Sequence, residues 1–183
     1  LQLGATNMTV DFNKNIAVVN APTVKIGDSS MGINSTISTD ISKELYVKNI
    51  SVKSKYMNTD TLLMYKDSPI AKTLPLNVNE GKFYSEKALA TIYNSPLYLS
   101  ALNADFKLQN NKLELKNISS EIFNGKLAGS IDFNLKDENF NSRIQARGVS
   151  AAPIFDIVST RKDTISGVMD FDANMQGNLS SKQ

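Results

Sequence analysis

The stretch N-N-K-L-E-L-K-N-I-S-S-E-I-F-N-G-K-L-A-G-S-I-D-F-N-L-K, Asn110 to Lys136, decides how the chain is read. From Leu127 it alternates without a slip. Leu127, Gly129, Ile131, Phe133 and Leu135 point one way; Lys126, Ala128, Ser130, Asp132, Asn134 and Lys136 point the other. A period of two places alternate side chains on opposite faces of a pleated strand, so the stretch predicts a sheet with one dry and one wet face.

The pattern extends on both sides. Leu102, Ala104, Phe106 and Leu108 alternate, Gln109 to Asn111 turn, and Leu113 and Leu115 return. Ile118, Ile122 and Phe123 lead to a hairpin turn expected at Asn124-Gly125. Asp137-Glu138-Asn139 turns into Phe140, Ile144 and Ala146, with Arg143, Gln145 and Arg147 on the opposite side. Ser150 is placed to cap a short helix, with Pro153 in its first turn and Ile154, Phe155, Ile157 and Val158 as its apolar side. Ile165, Gly167, Met169, Phe171, Ala173 and Met175 then read as one long final strand.

The first half is less regular. Met8, Val10 and Phe12 alternate, Asn13-Lys14-Asn15 turns, and Ile16 and Val18 restart the pattern. Pro22 marks an edge or a bulge in that second strand, which continues through Val24 and Ile26 to a turn at Gly27-Asp28. Ile33, Ser35 and Ile37 form a third strand and Leu45, Val47, Ile50 and Val52 a fourth, whose phase change predicts a bulge near Asn49. Asp60 to Tyr65 reads as a short helix capped by Asp60 and limited by Pro69. Leu74, Leu76 and Val78 alternate up to Glu80-Gly81. Ser85 to Tyr93 reads as a helix, with Ser85 as its cap, Glu86 in the first turn, and Ala88, Leu89, Ile92 and Tyr93 at helical spacing.

Composition bounds the function. The 183 residues are 41% hydrophobic and 21% charged, ordinary for a folded chain able to bury a core. A net charge of +2, with no block of like charges and only Arg161-Lys162 as a basic pair in the second half, argues against nucleic acid as a partner. Cysteine is absent, which removes disulfides and thiolate metal sites. Histidine is absent too, and with it the usual neutral-pH base and the commonest metal ligand. No apolar run is long enough for a membrane-spanning helix. The chain starts at Leu1 and ends in a polar Ser-Ser-Lys-Gln tail, which reads as a piece of a longer protein.

The two halves resemble each other at a spacing of about 97 residues: Ile16 meets Leu113, Val18 meets Leu115, Gly32 meets Gly129 and Val47 meets Ile144. This divides the chain into a first β-rich unit, 1–95, and a second, 96–183, each with hairpins, a short helix and a further strand, within one continuous domain or fragment.

Three segments carry a resemblance to a known family: Leu102 to Phe133, Arg143 to Val158, and Ile165 to Gly177. Their succession of hairpin, Asn124-Gly125 turn, Pro-containing short helix and glycine-ended strand resembles the AsmA-like proteins of bacteria with two membranes, a group that includes TamB-like chains. The likeness spans Leu99 to Gly177 and, more faintly, the first half, and rests on alternation and glycines. It implies a periplasmic, β-rich segment of a chain anchored in the inner membrane by a helix outside this sequence. It further implies a role in outer-membrane assembly and lipid transport, with phospholipid and other segments of the same longer chain as partners. It brings no catalytic residues and no cofactor.

Polar candidates for chemistry all have a simpler reading. Asp170-x-Asp172-x-Asn174 imitates the start of a calcium loop, but Met175 follows where glycine is needed and no glutamate closes it, so no metal site is expected. Asp105, Glu114, Glu121 and Asp132 fall on wet faces, with no histidine to work beside them. Ser85 with Lys87 lacks the spacing of serine–lysine acylases, and Arg143 and Arg147 read as solubilising charge.

The candidate site is therefore the dry face: Phe106, Leu127, Ile131, Phe133, Leu135, Ile144, Met169 and Phe171. A strand from Leu127 to Leu135 spans roughly 30 Å. Each short helix covers only about half of that. Either the sheet closes on itself as core or some apolar surface is left for a ligand. The fold expected is mostly β with short helices, a long curved antiparallel sheet built from two related hairpin and helix units. The function expected is lipid binding or transport by a non-enzymatic periplasmic segment. The alternative is a structural or adhesive envelope β-sandwich without ligand.

Overall fold

The computed structural model describes residues 3–39, 46–60, 77–92, 95–158 and 165–178. They form a single open sheet of eleven strands. In chain order these are β1 (Leu3–Thr6), β2 (Thr9–Asn13), β3 (Ile16–Ile26), β4 (Ser29–Ser38), β5 (Tyr46–Asn58), β6 (Asn77–Ile92), β7 (Ser95–Gln109), β8 (Lys112–Ile122), β9 (Gly125–Asn134), β10 (Asn139–Ser150) and β11 (Val168–Asn178). One eight-residue helix, α1 (Ala151–Val158), leads from β10 towards β11. From β3 onward, spatial order follows chain order; β1 and β2 share the outer side of β3, and β11 is the opposite edge. The fold is thus a long, curved, mostly antiparallel sheet. A β-sandwich is not what the described residues build, since their strands form one sheet.

All pairings are antiparallel except β5–β6, which runs parallel from Tyr46↔Asn77 to Asn58↔Leu89. The sheet crosses the expected division at 95/96 without interruption, through the β6–β7 pair.

Local chemistry explains the turns. Lys14 at φ 52° closes β2–β3, and Asn110 and Asn111 at φ 50° and 63° close β7–β8, a conformation that asparagine tolerates. The β8–β9 turn sits one residue earlier than the Asn124-Gly125 pair predicts. Phe123 and Asn124 carry the positive φ values, 46° and 66°. Gly125 already pairs with Ile122. A Cβ on Gly125 would lie 2.6 Å from backbone atoms of Arg147, Gly148 and Val149, so close approach of chains, rather than the turn, requires this glycine.

Bulges bend the strands, and buried serines, several of them beside bulges, donate to strand carbonyls. The bulge expected near Asn49 is present, where the β4–β5 register shifts between Thr36 and Ile37, and Ser35 Oγ donates to the Asn49 carbonyl at 3.2 Å. That at Pro22 is present between Ala21 and Val24. Opposite it the edge breaks at Asn7, φ 57°, so that β2 pairs with Ile16 to Asn20 and β1 with Thr23 to Ile26. Further along, Ser54 Oγ lies 2.7 Å from the Ser30 carbonyl and 2.6 Å from that of Tyr56, its one proton serving one of them. Ser85 Oγ donates to the Lys87 carbonyl at 2.7 Å and Ser120 Oγ to that of Ser100 at 2.8 Å.

Several expectations are corrected. Ser85 to Ile92 is not a helix; it is the second half of β6, and Ser85 is a buried strand residue rather than a cap, while Tyr93 lies outside the described residues. Pairing on both sides, with β5 and β7, outweighs the helix preference of S-E-K-A-L-A. Asp60 does not cap the helix that starts at 59. Asn58 does, its side-chain oxygen accepting the Asp60 N–H at 3.0 Å, while the Asp60 carboxylate accepts the Thr91 N–H at 3.2 Å. The rest of that expected helix, residues 61–65, the strand start at Leu74 and Leu76, and Leu45, lie outside the described residues. The final strand begins at Val168, leaving Ile165 and Gly167 before it. The helix after Ser150 forms as expected.

Candidate functional site: the apolar face of the sheet

Cross-strand partners share a face, so the registers can be followed from one edge of the sheet to the other. One line starts at Phe12, Ala17, Ile37, Val47 and Val78. It continues through Leu108, Leu113, Phe133, Phe140 and Gly177. Every member is apolar or glycine. A neighbouring line runs from Val10, Val19, Ser35 and Ile50 through Gly81, Phe106, Leu115 and Ile131 to Ser142 and Met175. At about 4.8 Å between strands the lines are roughly 45 Å long.

Most of the residues singled out in the sequence fall in four adjacent lines of this face. Phe133 is in the first line; Phe106 and Ile131 are in the second. Ile144 lies opposite Gly129, and Leu127 opposite Ala146, which is opposite Phe171. Met169 pairs with Val149. Phe106, Leu127, Ile131, Phe133, Ile144, Met169 and Phe171 are each half-buried. Leu135 is the exception. β9 ends at Asn134, and Leu135 lies in the turn, 41% exposed, its N–H donating to the Asn111 carbonyl at 2.8 Å.

Rings lie over glycines on this face. A Cβ on Gly81 would enter the Phe106 ring, and one on Gly177 would lie 2.9 Å from the Phe140 ring. These glycines let an aromatic side chain lie flat across the neighbouring strand, which smooths the surface.

The cover over the face is partial. Ile122, Ala146 and Val149 form a buried cluster against which Leu97, Leu99, Leu127, Phe171 and Ile154 of α1 pack. The helix therefore roofs one end of the last strands. A separate cluster, Ala21, Val24 and Met31 with Ile26, Ile33 and Val52, lies in the first half. Between and beyond them Leu108, Leu113, Leu115, Ile131, Phe133 and Phe140 are each half-buried, and no helix among the described residues packs on them. Ser142, in the same line as Ile131, is buried, and its hydroxyl has no partner among the described residues.

Sequence reasoning left out the first-half members of these lines, as well as Leu108, Leu113, Leu115, Phe140 and Met175. Alternation was the signal for the second-half group. The first half hides its phase, because Val18 and Val19 are both apolar while only Val19 shares the face, and Val18 is 46% exposed on the other side.

The opposite face is wet, and several of its charges stand opposite a partner of the other sign, although Glu114 also faces Asp132 and Lys126 faces Arg147. Lys82 is opposite Asp105, which is opposite Lys116; Lys107 is opposite Glu114, and Glu121 opposite Lys126. Glu114 and Lys116 form an ion pair at 2.9 Å. The hydrogen bond and charge of Lys116 hold the Glu114 carboxyl below its ordinary pKa, and Glu114 in turn raises that of Lys116. A recess of about 320 Å³ opens among Glu80, Lys82, Asp105, Lys107, Glu114 and Lys116. Its three cations face three carboxylates, so it offers no net charge to an ion. Among the described residues no group of carboxylates is placed to hold a metal.

Asp170 and Asp172, the calcium-like pair, secure a bulge instead. Asp170 accepts the Gly148 N–H at 2.7 Å, and Asp172 accepts from Arg147 at 2.7 Å while the same guanidinium donates to the Ala146 and Phe171 carbonyls, each at 2.9 Å. Among the described residues no helix is long and apolar enough to cross a membrane. No known protein family, curated protein or solved structure matches this chain.

Proposed function

We propose that this chain binds lipid along the apolar face of its sheet and passes it from strand to strand, as a non-catalytic segment of an AsmA-like envelope protein held in the periplasm near the inner membrane. The single observation that carries the reading is the uninterrupted apolar line from Phe12 to Gly177, buried at Ala17, Val47 and Val78 and half-exposed from Leu108 through Leu113 and Phe133 to Phe140. Water-facing apolar surface of this extent is costly for a chain to retain without a ligand or partner. At roughly 45 Å the line is about three times the reach of one acyl chain, which fills about half of a 30 Å bilayer core. Each methylene withdrawn from water contributes about 0.8 kcal/mol when fully buried, and less on an open face. That favours retention without trapping, as transport requires. The charged outer face keeps the segment in water.

Mass spectrometry of organic extracts from the purified chain, with uptake of a fluorescent phospholipid from vesicles, tests the reading. Co-purifying phospholipid and saturable uptake are expected. An extract free of lipid together with no uptake would overturn it.

A further inference from the structure

β5 and β6 are the one parallel pair among the described strands, so the chain between them must travel back along β5 before β6 can start. It leaves after Asp60, beyond the end of β5 where Asn58 pairs with Leu89, and re-enters at Asn77, paired with Tyr46 at the start of β5. The return covers roughly 40 Å, the length of a thirteen-residue strand. Residues 61–76 reach about 55 Å at full stretch. That is too short for a detour round a side edge of the sheet, so the segment crosses one of its two faces.

Chirality decides which face. In a strand of L-residues running upward, a residue whose side chain faces the viewer has its N–H and C=O on the viewer's right. Gln109 and Lys112 flank a two-residue turn and exchange both backbone hydrogen bonds. Gln109 therefore faces β8, while Leu108 and Phe106, on the dry side, turn their backbone groups towards β6. Seen from the dry side with β5 and β6 running upward, β6 then lies to the right of β5. The turn between Asn13 and Ile16 gives the same sense, because it directs Ala17 and Val19 of the dry side towards β4. Connections between parallel neighbours are right-handed in about 98% of cases, and with β6 on the right such a connection passes on the viewer's side.

We infer that residues 61–76 lie across the dry face, over β5 and β6. Leu62, Leu63, Met64, Ile70, Leu74 and Leu76 give the segment apolar side chains to set against it. Burial agrees. Val47 and Val78 are buried, as is Met57, which shares the face through Ala88 and Leu99, yet neither apolar cluster includes any of the three. Further along the same lines Leu113, Leu115, Ile131 and Phe133 are only half-buried. The segment thus takes the β5–β6 part of the face and leaves the part from β7 to β10 for lipid. The placement stands on connectivity and handedness, and holds whether or not lipid binds.

The chain has no cysteine, so an introduced pair reports the path. The middle of the segment passes the middle of β5, where Val52 is on the dry side and its neighbour Lys53 on the wet side. Val52→Cys is close in volume to the native residue and is tolerated. Combined in turn with Ser68→Cys and Ile70→Cys, it is expected to be linked within the chain by a bismaleimide of about 10 Å reach, the spacing of stacked layers. Mass spectrometry of the digest reads the linked peptides. Lys53→Cys with the same partners is expected to link about tenfold less, because the sheet stands between the two thiols. Linking from Lys53→Cys as strong as from Val52→Cys, or no link from Val52→Cys to either position, would overturn the proposal.

Discussion

Glu114 and Lys116 sit two apart on β8, on the wet side, and their ion pair sets the protonation of both. Because the folded Glu114 carboxyl titrates below its unfolded range, its contribution to stability is present above that range and fades as pH falls through the folded value. The pair is exposed and screened by salt, so the effect on stability is small. The titration itself is the sharper readout. Lys116→Met is expected to return the Glu114 carboxyl upward towards the ordinary range, followed by carboxyl-carbon NMR, and high salt should move the wild-type value the same way. An unchanged midpoint in Lys116→Met would mean that Lys116 is not the cause.

At the scale of elements, bulges organise the sheet. The one in β10 places Arg147 and Gly148 opposite a single residue of β11, with Gly148 at φ 66°. A Cβ there meets nothing within 4 Å, so the cost of a side chain is conformational. Gly148→Ala should lose about 1 kcal/mol in urea unfolding and Gly148→Asn less, because asparagine accepts the left-handed region. Amide exchange should quicken first in β11, whose inner register depends on this bulge. Equal costs for the two variants would place the strain elsewhere.

The elements also mark what the sequence could reveal. Alternation from Leu127 to Phe133, the bulges at Pro22 and Asn49, and the Ser150 helix were all legible, because each is written in local chemistry. β6 was not. Its Ser85 to Ile92 segment has a capping serine and good helix formers, and only its pairing with β5 and β7 makes it a strand. The phase of β3 was hidden for a related reason. In I-A-V-V-N-A both faces carry apolar residues, and register alone assigns Ala17 and Val19 to the dry side. The 97-residue spacing consequently sets Ile16 of the wet face beside Leu113 of the dry face. A spacing one residue shorter brings Ala17 onto Leu113, Met31 onto Leu127 and Ile37 onto Phe133, all on one face.

For the molecule as a whole, one sheet separates two surfaces. One is charged; the other is apolar from β2 to β11 and roofed at one end by α1. The candidate site was legible as a face in the second half only, because there the alternation has a single reading. The first half joined it through register, which extends the line to Phe12, 74% exposed at the far edge. The account's central claim is that lipid lies on this face and not on the other. Phe133 and Asp132 are neighbours in the chain and point to opposite sides. A photoreactive phenylalanine analogue placed at each in turn, irradiated with phospholipid vesicles, should capture lipid from position 133 and not from position 132. Equal capture at both positions, or capture at 132 alone, would contradict the account.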